Sequence, residues 1–208
     1  FASSMANISF FFPKSEKGTA LGLNAGLGNL GVSTVQFVVP LVISAGVFGA
    51  FGGSPLLIDG EPGRPMWLQN AGFIWVPFLI LCTLLAWFGM HDIGNARASF
   101  REQAVIFRRK HNWIMCWLYL GTFGSFIGFS AGFPLLIGSQ FPKVDPTQYA
   151  FLGPLVGALS RPVGGWLADR VGGAQVTLWN FLLMALAAYG VIWFLPSGGG
   201  EGSFWGFF

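Results

Sequence analysis

Apolar residues run through this chain in blocks long enough to cross a bilayer, and short segments rich in Gly, Pro and charge separate them. A spanning helix needs roughly 20 such residues. On that measure residues 1–12 form the end of one helix, with a turn at Pro13-Lys-Ser-Glu-Lys-Gly18. A second helix is expected over residues 19–48, long enough to tilt or to project beyond the bilayer. Residues 51–70 carry Gly52-Gly-Ser-Pro55 and Asp59-Gly-Glu-Pro-Gly-Arg-Pro65 and read as a turn-rich loop. Further helices are expected over 71–90, 113–138, 148–168 and 174–195, and residues 196–203 lead into a last partial helix.

Composition fixes the class. Hydrophobic residues make up 53% and charged residues 9%, where a soluble domain carries roughly 25% charged residues. Mean hydropathy is +0.63. The fold class is therefore all-α, a polytopic membrane protein. The 9 Trp and 23 Phe suit lipid-facing surfaces and interfacial belts. The 31 Gly suit helices that pack closely in lipid. Because the chain opens on Phe1 and closes at Phe208 inside an aromatic run, it is expected to be part of a longer one.

The charges orient it. Alternate connections hold Lys14, Lys17, Arg97, Arg101, Arg108, Arg109, Lys110 and Arg170, and the opposite ones hold Arg64 and Lys143. That bias assigns the first set to the cytoplasm. The net charge of +3 follows from this topology, so no nucleic-acid partner is implied. The one long charged segment mixes Arg97, Arg101, Glu102 and Arg108 with Phe100, Ala104, Val105 and Phe107 at helical spacing, as a surface-lying linker helix would. Three divisions follow: residues 1–90 ending one helix bundle, a cytoplasmic linker at 91–112, and residues 113–208 starting a second bundle.

Cys82 and Cys116 lie in apolar stretches without CxxC spacing or histidine partners. They read as buried small hydrophobes, and no metal or cofactor is expected. Nor is there a serine beside an intramembrane base, which argues against an enzyme.

Two features carry chemistry. Arg161 stands in an apolar run from Phe151 to Ala168. A guanidinium stays charged and is costly at bilayer depth. Three readings fit it: an anion-binding group, a side chain snorkelling to the interface, or the partner of a carboxylate on another helix. The second feature is the run Gly18 to Gln36. Gly18, Gly22 and Gly26 recur every four residues, and Gly22, Ala25, Gly26 and Asn29 share one face. Such a face admits a neighbouring backbone, and Asn24, Asn29 and Gln36 add amides that need partners in a membrane.

The stretch Phe1-Ala-Ser-Ser-Met-Ala-Asn-Ile-Ser-Phe-Phe-Phe-Pro-Lys14, followed by Ala20-Leu-Gly-Leu-Asn-Ala-Gly-Leu-Gly-Asn-Leu-Gly-Val-Ser33, resembles the signature region of the nitrate/nitrite porters of the major facilitator superfamily. In that family the signature lies on the fifth of twelve helices in two bundles, so the chain would run from the end of helix four to the start of helix ten. Gly165-Trp-Leu-Ala-Asp169-Arg170-Val-Gly172-Gly173 resembles the superfamily's cytoplasmic Gly-x-x-x-Asp-Arg-x-Gly loop.

The resemblance implies a nitrate and nitrite site between the bundles, with one arginine from helix two and one from helix eight. Arg161 would be the helix-eight ligand, Tyr119 and Phe123 would line the pocket from helix seven, Asn29 would reach it, and Phe1 would supply an aromatic wall. Gly22, Gly26, Gly28 and Gly31 would pack the signature helix, and Asp169 and Arg170 would form a gating loop. Nitrate/nitrite antiport in the inner membrane is the implied activity. All eight acidic residues, Glu16, Asp59, Glu61, Asp92, Glu102, Asp145, Asp169 and Glu201, fall in connecting segments, which favours exchange over proton symport. Nitrate/proton symport, a carrier for another small solute, and a passive anion channel are the alternatives.

Overall fold

The computed structural model describes residues 2–58, 63–91, 99–196 and 202–208, with side chains from residue 4 onward. The helices among them are α1 (Ala2–Phe11), α2 (Lys17–Ile43), α3 (Asn70–Phe73), α4 (Val76–Gly89), α5 (Phe100–Gln103), α6 (Lys110–Gln140), α7 (Leu152–Val171), α8 (Gly173–Phe194) and α9 (Phe204–Phe207). Among the described residues four segments are long and apolar enough to cross a membrane: Lys17–Ile43, Asn70–Gly89, Lys110–Gln140 and Gly173–Phe194. Helix α7 has 20 residues but is less apolar, because it carries Ser160, Arg161, Asp169 and Arg170.

The chain divides into two compact units, residues 1–37 with 122–208, and residues 38–121. In the first, α2 lies directly on α7. A methyl added at Gly22 would stand 2.8 Å from the carbonyl oxygen of Arg161, and one at Gly26 would stand 2.7 Å from that of Ala158. Gly165 answers from α7, its own position abutting the carbonyl of Gly18. Further along, the Ser33 hydroxyl donates to the Phe151 carbonyl at 2.8 Å, and the Phe37 and Phe151 rings meet edge to face at 5.0 Å.

Proline shapes α6. Pro134 lies inside it and has no N–H to offer the carbonyl of Ser130 four residues earlier. The Gln36 amide takes that place, donating to the Ser130 carbonyl at 2.7 Å. Beyond this point Ile137, Phe141 and Phe207 form a buried core with Phe133, Phe194 and Phe204 packed around it. Between α7 and α8 a single residue, Gly172, turns the chain at φ 108°. Only glycine adopts that conformation without strain.

The end of α2, from Val38 onward, belongs to the second unit and is tied down within it. Asn70 is fully buried, and its amide donates to the carbonyls of Val42 and Ala45, both at 3.0 Å. The Trp67 N–H donates to the Ile43 carbonyl at 2.8 Å. These bonds take carbonyls that a continuing helix would use, so α2 stops at Ile43, short of the expected residue 48. The segment expected to be loop holds a two-stranded antiparallel ladder, β1 (Leu56–Ile58) with β2 (Arg64–Met66), in the register Leu57 opposite Pro65. Its strands are three residues each, too short for a periodic signal in the sequence. The next expected helix runs over Asn70–Gly89, with a turn at Ile74 and Trp75 between α3 and α4 that keeps helical dihedrals, where Pro77 has no N–H to give the ladder.

In the linker, residues 92–98 lie outside the described residues. From Ser99 onward it forms not one helix but α5, opened by a reciprocal Ser99/Glu102 capping box, and a 3₁₀ turn over Ala104–Arg108. Cys82 and Cys116, expected to be buried, are exposed. Apolar character places a residue out of water, and lipid or another helix meets that requirement as well as a core does.

Candidate functional site

Arg161 sits at the middle of α7, where two helices of the first unit bring different chemistry to it. From α2 comes Asn29, which is 8% exposed. With its carboxamide turned so that the oxygen faces the cation, Asn29 Oδ1 lies 3.0 Å from Arg161 Nε, 2.8 Å from Nη1 and 2.9 Å from Nη2. From α6 come two rings: the guanidinium carbon lies 5.1 Å from the Phe126 centroid and 5.7 Å from that of Phe123. The ring quadrupole attracts the cation in both cases.

The glycine face of α2 makes this approach possible. Gly22 and Gly26 admit the α7 backbone, and Asn29 follows Gly26 by three residues on the same face. A bulkier residue at either glycine would hold the helices apart and lift Asn29 from Arg161. Gly28 and Gly31 stand differently, since a methyl added at either meets open space.

The other signature amides are engaged elsewhere. Asn24 donates to Ser4 Oγ at 3.4 Å and to Met5 Sδ at 3.3 Å, joining α2 to α1. Gln36 serves the Ser130 carbonyl. Tyr119, one turn before Phe123 on α6, belongs to the second unit and is 48% exposed. Phe1 lies outside the described residues.

Asp169 and Arg170 have separate partners. The Asp169 carboxylate accepts from the Gly18 N–H at 2.8 Å, the Thr19 N–H at 2.7 Å and the Thr19 hydroxyl at 2.8 Å. It thereby satisfies the unpaired donors at the start of α2 and meets the positive end of that helix. Arg170 instead lies over the Trp166 ring, 4.2 Å from its centroid. Thr19 is a residue that sequence reasoning passed over. Its position at the helix start was a signal, but nothing local shows that its partner lies 150 residues away.

Phe126 was passed over too. It follows Tyr119 and Phe123 at helical spacing, i, i+4 and i+7, so the stripe was legible. Three of the described carboxylates have partners of their own: Asp169 at the start of α2, Glu102 at the Ser99 N–H at 2.8 Å, and Asp145 at the Thr147 N–H and hydroxyl at 3.0 and 2.8 Å. Asp145 lies in an exposed loop, and the Thr147 hydrogen bonds hold its carboxyl below the usual carboxylate range. Among the described residues no group of three His, Cys, Asp or Glu side chains could hold a metal ion.

A guanidinium steadied by an amide and by aromatic faces is suited to a small planar anion. It stays protonated and offers in-plane donors to planar oxygens. The rings beside it resist hydration, and weakly hydrated anions lose least on entering such a place.

Comparison with known proteins gives concordant matches. The model of the Major Facilitator Superfamily matches residues 1–208. The nitrate/nitrite transporter NarU of Salmonella typhimurium is 52% identical over 211 residues, covering 100% of this chain and 44% of that protein. The probable nitrate/nitrite antiporter NarK2 of Thermus thermophilus is 55% identical over 183 residues, covering 85% of this chain and 41% of that protein. The chain thus spans less than half the length of these curated relatives.

Proposed function

Because the chain belongs to the Major Facilitator Superfamily and, within it, to the nitrate/nitrite porters, we propose that the protein exchanges nitrate for nitrite across the inner membrane by alternating access. The observation that carries this reading is the Arg161 guanidinium, held by Asn29 and resting on Phe123 and Phe126. Arg161 is the anion ligand, and Asn29 and Phe123 shape the site around it. Tyr119 and Phe1 line it on the strength of the family resemblance, which also supplies a second arginine from another helix.

Exchange follows from the charges. Two arginines facing each other across an empty site repel, so the loaded carrier closes more readily than the empty one. An anion that bridges them contributes charge-assisted hydrogen bonds worth about 1.5–3 kcal/mol each. Proton coupling would need a titratable group inside the membrane. The described acidic residues instead lie at helix ends or in connections, with Asp169 in the last turn of α7 and Asp145 in a loop.

The Asp169 contact supplies a gate. We place it, with the 91–112 linker, on the cytoplasmic side, where Lys and Arg are concentrated. While the carboxylate holds the start of α2, the α2 and α7 ends stay together; opening on that side breaks those bonds.

The test uses the full-length protein in proteoliposomes, comparing nitrate uptake with and without internal nitrite. Uptake stimulated by internal nitrite and unaffected by a proton ionophore supports exchange. Uptake abolished by the ionophore assigns proton symport instead. No nitrate movement returns the protein to a carrier of another small solute.

A further inference from the structure

Of the two rings beside Arg161, the nearer belongs to Phe126, at 5.1 Å against 5.7 Å for Phe123. It gets there because position 157 on α7 is glycine. A methyl at Gly157 would stand 3.0 Å from Phe126 Cε2 and 3.3 Å from Cδ2, so the ring would have to give way by a few tenths of an ångström. The backbone does not demand glycine at 157, which is absent from the residues with positive φ. Space for the ring is the remaining reason.

Gly157 lies one turn before Arg161 on the same helix. Helical side chains lean toward the N-terminus, so the Arg161 side chain passes over the turn that holds Gly157. The Phe126 ring occupies the volume that a side chain at 157 would fill. The Phe123 and Phe126 centroids are 6.4 Å apart with planes inclined by 25°. With the guanidinium at similar distance from each, the rings lie side by side under it and do not sandwich it.

We propose that Phe126, seated on Gly157, is a positioning residue that fixes where the Arg161 guanidinium presents its N–H groups and thereby sets the affinity for the anion. The proposal rests on the reading of Arg161 as the anion ligand. A guanidinium held by its face directs its donors only within its own plane. Without the ring it samples other rotamers, and binding must select the productive one.

The experiment takes the full-length protein with Phe126→Leu, Gly157→Ala, the two combined, and Phe126→Tyr. Nitrate/nitrite exchange gives KM and maximal rate, and phenylglyoxal labelling of Arg161, followed by mass spectrometry, reports the guanidinium without any substrate. Phe126→Leu and Gly157→Ala are each expected to raise nitrate KM by about tenfold with a smaller change in maximal rate, and to speed labelling of Arg161. The combined variant is expected to be no worse than Phe126→Leu, because the shorter side chain leaves room for the methyl. Phe126→Tyr keeps the ring and is expected to keep KM near wild type.

An unchanged KM and labelling rate in Phe126→Leu would overturn the proposal, as would additive effects of the two substitutions. If the wild-type protein moves no nitrate, the exchange reading fails on its own, and the labelling rates still decide whether Phe126 positions Arg161.

Discussion

Asp169 and Thr19 meet across two helices: the carboxylate of one accepts both the backbone N–H and the hydroxyl of the other, at 2.7 and 2.8 Å. The contact joins the end of α7 to the start of α2. A charged acceptor at unpaired helix N–H groups holds more strongly than a neutral one.

Asp169→Asn should therefore weaken the latch while leaving the site around Arg161 in place. Maximal exchange rate is expected to fall by about tenfold with nitrate KM nearly unchanged, the weight of one charge-assisted bond. Kinetics in proteoliposomes check this, and a defect confined to KM would speak against a gate.

Arg161→Lys replaces a planar fork by a point charge. It keeps the charge but loses the in-plane donors and the stacking on Phe123 and Phe126. Nitrate affinity is expected to drop by about a hundredfold, corresponding to the loss of one or two charged hydrogen bonds. Isothermal titration of the purified protein measures it directly.

The signature glycines should divide into two groups. Gly22→Ala and Gly26→Ala drive a methyl into the backbone of α7, against the carbonyls of Arg161 and Ala158. Each is expected to cost about 1–3 kcal/mol through forced separation of the helices. Gly28→Ala and Gly31→Ala meet open space and should stay within about 1 kcal/mol of wild type. Thermal unfolding followed by size-exclusion chromatography distinguishes the groups.

Gln36→Leu leaves the Ser130 carbonyl without its donor, because Pro134 supplies none. The expected cost is about 1–3 kcal/mol, that of an unsatisfied buried acceptor. Adding Pro134→Ala restores a backbone N–H and should recover much of the loss. Failure of that rescue, read as a melting temperature, would show that Gln36 acts in another way.

The sequence by itself determined what depends on neighbours along the chain. Spans follow from runs of apolar residues, and the packing face of α2 from a four-residue glycine repeat. Arg161 stood out because a charge in an apolar run is costly wherever the helix is placed.

Tertiary structure decided the partners. That Asp169 serves Thr19 while Arg170 stacks on Trp166, that Gln36 completes the ladder broken at Pro134, and that Phe126 lies under Arg161 all depend on how helices far apart in the chain are placed. Helical period tells which residues share a face, but the hydrogen bonds and ring contacts that face makes fall off within a few ångströms. They are therefore set by helix placement and not by local pattern.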